Sequence, residues 1–120
     1  MDLSRPAIAL CMEGTQLEFQ KQIEAARQRY AEAWACAADD YEKCIAAHYV
    51  GHLAQTPADM LLWHQTALDH ATRADHELVE NFLPSLYVNL GHAYEQTGDE
   101  AQAQHFYDLA AALGLIHKHD

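Results

Sequence analysis

Apolar residues return every three or four positions along most of the chain, the spacing of one face of an α-helix. Phe19, Ile23, Ala26, Tyr30, Ala33 and Ala37 show the pattern. No stretch alternates apolar and polar residues as a half-buried strand does. Punctuation cuts this helical text into segments. Pro6 suits the first turn of an opening helix, where the missing N–H has no intrahelical partner to lose. Asp39-Asp40 followed by Glu42 reads as an N-terminal cap with its reciprocal carboxylate. Thr56-Pro57 with Asp59 marks another start. Gly98-Asp99 marks a stop and a new cap, with Gln102 in the third helical position. The pattern predicts about six helices of roughly 12–18 residues, and therefore an all-α fold.

The segment from Leu86 to Gly114 holds small and large residues at fixed offsets: Tyr87, Leu90-Gly91, Tyr94, the Gly98-Asp99 turn, then Ala103, Tyr107 and Ala110. This arrangement resembles the tetratricopeptide repeat, with its W-x2-L-G-x2-Y and A-x3-F slots and a period of about 34 residues. Gly14, Ala26, Tyr30 and Ala33 have the same internal spacing, and a shift of 34 lands on His48, Met60, His64 and Ala67. The next step is 43, which places about nine extra residues around TRADHELVE, between Ala71 and Pro84. The match is most complete over Pro84–Leu113, with sparser copies over Ala7–Asp39 and Asp40–Ala71. In the middle copy a histidine, His48, stands in the glycine slot and Gly51 in the tyrosine slot. The first copy has Gln20-Lys21 where the third has its Gly-Asp turn.

The resemblance implies one domain over residues 1–120, a right-handed solenoid of antiparallel helix pairs. The repeats run over about 7–39, 41–71 and 84–113, with an insertion at about 72–83 and a tail at 115–120. It also implies a non-catalytic interaction module whose first helices line a concave face that takes a peptide or helix. Projected onto this chain, that face carries Ile8, Cys11, Thr15, Glu18 and Phe19 from the first pair. The second pair supplies Glu42, Ile45, Tyr49, His52 and Leu53, and the third Ser85, Val88, His92, Glu95 and Gln96. Family members that clamp an acidic C-terminus need Lys, Arg and Asn here, as donors to carboxylates. Ile45, Tyr49 and Val88 with Glu18, Glu42 and Glu95 instead suit an apolar or basic partner, such as an amphipathic helix.

Charge narrows the partners further. Seven Lys and Arg against eighteen Asp and Glu give a formal net charge of −11, which disfavours binding to a phosphate backbone. Three cysteines, Cys11, Cys36 and Cys44, are too few and too irregular for a disulfide framework and predict reduced thiols in the cytoplasm. The apolar run AIALCM is too short for a signal core or a membrane span.

Two other chemistries have residues to draw on. Cys44, His48 and His52 follow at four-residue intervals on one helix, and His92 falls on the next first helix. That set supports the alternative of a small helical metal-binding or metal-sensing protein. The tail adds His117 and His119. No phosphate loop, nucleophile elbow or HExxH pattern occurs, and only Lys43 flanks Cys44 with positive charge. The expectation is a protein without catalysis or cofactor. Finally, little follows the last pair to cover Phe106, Leu109, Leu113 and Ile116, which predicts a homo-oligomer, such as a dimer, joined through that end, or docking of that end on another protein.

Overall fold

The computed structural model describes residues 2–114, and within them the protein is all-helical. Seven helices appear among the described residues: α1 (Pro6–Phe19), α2 (Ile23–Cys36), α3 (Asp40–His52), α4 (Pro57–Arg73), α5 (His76–Val79), α6 (Leu83–Gln96) and α7 (Glu100–Ala112). α1 packs on α2, α3 on α4 and α6 on α7, so the chain is three consecutive helical hairpins with α5 between the second and third. Side chains set the boundaries. Asp39 Oδ1 accepts from the Glu42 amide at 2.9 Å, Thr56 Oγ1 from the Asp59 amide at 3.1 Å, and Asp99 Oδ1 from the Gln102 amide at 3.0 Å. Each satisfies one donor that the helix itself leaves unpaired. Glu42 completes the α3 start by accepting from the Ala38 amide at 2.9 Å. Asp40 does not cap: its Oδ1 lies 2.7 Å from His70 Nδ1, tying the start of α3 to the end of α4.

The three hairpins correspond position by position. Gly14, His48 and Gly91 are each the ninth residue of a first helix. Tyr30, His64 and Tyr107 are each the eighth residue of a second helix, and Ala33, Ala67 and Ala110 the eleventh. Those three alanines are fully buried, because a methyl at that level lets paired helices approach closely. The first turn keeps the spacing of the repeats and corrects the sequence alignment by one residue: its counterpart to Gly98-Asp99 is Lys21-Gln22, not Gln20-Lys21. Lys21, with φ of 65°, matches Gly98 at 88°, and Gln22 stands in the cap position of Asp99.

The insertion is partly an extension of α4, which runs to Arg73, and partly the one-turn α5. Asp75 caps α5 on the Glu77 amide at 3.1 Å, and Val79 at its end is buried. The main core gathers residues from α1, α2, α3, α4, α5 and α6, with α3 contributing most heavily through Tyr41, Cys44, Ile45, Ala46 and Ala47. α3 lies against both α1 and α2, whereas α6 leans on α4. Trp34 and Trp63 meet edge to face at 5.1 Å and border this core half-buried. Among the described residues no helix is long and apolar enough to cross a membrane.

Candidate functional site

Of the face projected from the sequence, five residues come together on α1 and α3: Thr15, Glu18, Phe19, Tyr49 and His52 line one open concavity of about 340 Å³. One turn of α1 and one of α3 bring them side by side, because residues three or four apart share a helix face. Phe19, the last residue of α1, is 81% exposed, an unusual position for a whole aromatic ring. Tyr49 forms the other wall, its ring stacked on Tyr30 at 5.1 Å.

Glu18 is held in place from behind. The Tyr30 hydroxyl donates to its Oε1 at 2.5 Å, and Oε2 lies 3.1 Å from His52 Nε2. Burial first, and the adjoining carboxylate second, push the Tyr30 phenol well above its ordinary range, so it stays a proton donor. Thr15 donates its hydroxyl to the Cys11 carbonyl at 3.0 Å. The concavity is therefore an aromatic trough with a fixed carboxylate at one wall, partnered by an exposed histidine rather than by a lysine or arginine.

Other projected residues lie elsewhere, and burial corrects the projection for four of them. Ile8, Cys11, Glu42 and Ile45 are buried, because the neighbouring hairpin covers slots that a single repeat would present to solvent. Glu42 is an internal ion-pair partner: Arg5 donates to it at 2.9 Å while also reaching Asp39 at 3.0 Å. It holds α1 to α3 and presents no charge to a partner. Leu53, at the end of α3, offers its carbonyl to Arg27. Val88 is half-buried on α6, and His92 and Glu95 are exposed there; Glu95 lines a separate polar depression with Glu100 and Gln104, and the Tyr107 hydroxyl donates to it.

The residues of the metal alternative turn toward different partners. Cys44 is buried, and burial pushes its thiol up to about 12, far from the thiolate a metal needs. His48 Nδ1 lies 3.1 Å from Asn89 Nδ2, and His52 is bonded to Glu18. His92 lies 3.3 Å from the Tyr107 hydroxyl. Among the described residues no group of three or more His, Cys, Asp or Glu is gathered to hold a metal ion. His117 and His119 lie outside the described residues. At the C-terminal hairpin, Phe106 is covered by the rings of Tyr87 and Tyr94 at 6.1 and 5.6 Å, so it cannot serve an open end as the sequence reading had it. Leu109 is half-buried, Leu113 is exposed, and Ile116 lies outside the described residues.

A second recess was not legible in the sequence. Cys44, Ile45, His48 and Tyr49 of α3 face Phe82, Ser85 and Leu86 at the start of α6 across a cavity of about 100 Å³. Phe82 belongs to no repeat slot. Only the length of the insertion signalled that this seam would differ from the first. No family model, curated protein or solved structure matches the chain.

Proposed function

We propose that this chain is a non-catalytic protein-interaction module of the tetratricopeptide type, working in the cytoplasm and taking a peptide or helix on the α1–α3 face. The observation that carries the reading is the trough of Thr15, Glu18, Phe19, Tyr49 and His52, open to solvent and rimmed by the exposed Phe19 ring. Burial of that ring and the Tyr49 face supplies affinity, at about 25 cal/mol per Å² of apolar surface removed from water. Glu18 sets the charge preference toward a basic partner, in keeping with the net charge of −11. Self-association through α7 remains part of the proposal on the exposure of Leu113 alone.

Changing Phe19 to Asp tests it. The side chain is already exposed, so helix content and melting temperature should stay within experimental error. Proteins captured from native lysate by the unaltered chain should be lost from the variant. Equal capture by both sinks the groove assignment.

A further inference from the structure

The first helix of the middle hairpin has a closed seam on one side and an open one on the other. Toward α1, Ile8 and Cys11 are fully buried, each 0% exposed. Toward α6, Asn89 reaches His48 at 3.1 Å, and a cavity of about 100 Å³ lies between α3 and α6 that no side chain among the described residues fills. The insertion explains the difference. Val79 is buried at the end of α5, and the Phe82 ring lies 6.4 Å from Tyr41, so α6 is seated against α4 instead of closing on α3.

The cavity's chemistry selects its occupant. It is lined by the apolar side chains of Ile45, Phe82 and Leu86 together with Cys44, His48, Tyr49 and Ser85, and no carboxylate, ammonium or guanidinium lines it. Burial holds the His48 imidazole neutral, with a pKa near 4. Its volume is below the ~150 Å³ of an apolar cavity that takes benzene, which suits one branched aliphatic side chain or the tip of one ring. Tyr49 is a wall both of this cavity and of the trough that holds the Glu18 carboxylate.

We propose that the α3–α6 cavity is a socket for one large apolar side chain of a partner segment, whose lysine or arginine pairs with Glu18 on the other side of Tyr49. The socket rests on the groove reading above and adds an anchor to it. Charge complementarity favours the basic residue: Glu18 is fixed by the Tyr30 hydroxyl, and its partner within the trough is His52.

The experiment is a selection from a random twelve-residue peptide display library on the full chain, followed by affinities for one selected peptide. Peptides should emerge with a large apolar residue near a Lys or Arg. Ser85 is exposed on the socket's margin, so Ser85→Trp, or the gentler Ser85→Leu, fills the cavity from its lip. Either should weaken the peptide at least tenfold, with helicity by circular dichroism unchanged. Replacing the peptide's apolar residue by Ala should cost a similar factor on the unaltered protein and almost nothing on the filled one. A peptide that is indifferent to both changes at Ser85 but lost on Phe19→Asp overturns the socket and leaves the groove standing. Peptides indifferent to Phe19→Asp as well, or no enrichment at all, overturn both.

Discussion

The outer hairpins and the middle one solve the same packing problem with different residues. In the outer pair a tyrosine lies flat on a glycine: a Cβ on Gly14 would stand 2.3 Å from Tyr30 Cε1, and one on Gly91 would stand 2.3 Å from Tyr107 Cε1. Each tyrosine hydroxyl then donates to a glutamate one turn beyond the glycine, Glu18 or Glu95. In the middle hairpin the glycine place is His48 and the tyrosine place is His64. The room is supplied one turn later by Gly51, whose Cβ would come within 3.0 Å of His64 Cε1. The position of the locking glutamate is taken by His52. The hairpin still closes, but no hydrogen-bond partner among the described residues reaches the buried His64 Nδ1, at a cost of about 1–3 kcal/mol. Hairpin geometry therefore depends on having one small residue under the ring, and tolerates moving it by a turn. What the middle hairpin gives up is polar satisfaction.

The largest expected effect follows from that loss. Burial holds His48 and His64 neutral, each with a pKa near 4; charge on His52 opposes protonation of His48, and charge on His48, whose ring stands 6.0 Å away, and on His52 opposes that of His64. Unfolded, both titrate near the ordinary 6.5. Below that pH the unfolded chain binds more protons than the folded one, so stability is full above 6.5 and is lost as pH falls toward 4. The combined loss between pH 7 and pH 5 should be on the order of 3 kcal/mol. Urea denaturation at the two values measures it. The double change His48→Gly and His64→Tyr, which gives the middle hairpin the outer pattern, should remove most of the difference. An undiminished difference would assign the pH response to carboxylates instead.

Alanine in place of each glycine separates the hairpins next. Gly14→Ala and Gly91→Ala should each destabilise by about 2 kcal/mol, overpacking against a ring outweighing the ~1 kcal/mol that alanine gains in a helix. Gly51→Ala meets His64 and the Trp63 Cβ only at 3.0 and 3.1 Å, and should come out near neutral. Equal losses at all three sites would break the comparison, because the middle hairpin would then need its glycine as strictly as the others.

These relations were readable in the sequence to different depths. Helix starts at Asp39, Thr56 and Asp99 were legible because the capping atom belongs to the side chain that names the position. The correspondence of Gly14 with Gly91 and Tyr30 with Tyr107 was legible because spacing along two helices fixes which residues meet. The exchange of His48 and Gly51 was visible as an irregularity, yet its resolution needed the direction of the His64 ring. The working face was the least legible. A repeat template places Ile8, Cys11, Glu42 and Ile45 outward, and only the approach of the next hairpin, with Arg5 crossing to Glu42, buries them. α5 has four residues, too few for any period to show, and with Phe82 it opens the α3–α6 seam.

The smallest effects lie in the turns, where the first and third hairpins part company. Lys21 adopts φ of 65° in the place where Gly98 adopts 88°, and a Cβ in that region of backbone space costs about 1–2 kcal/mol. Glycine would relieve it but has more freedom to lose on folding, so Lys21→Gly should raise stability by only about 0.5 kcal/mol. One residue later, Gln22 makes no side-chain cap, while Asp99 in the same place accepts from the Gln102 amide. Gln22→Asp should therefore add about 1 kcal/mol, from a satisfied amide and a carboxylate at the positive end of α2. Asp99→Ala should remove about the same from the third hairpin. Thermal melts of the three variants, with shifts of a few degrees, check the set. A gain at Gln22 without one at Lys21 would mean that the left-handed residue is already accommodated, and that the first turn lacks only its cap.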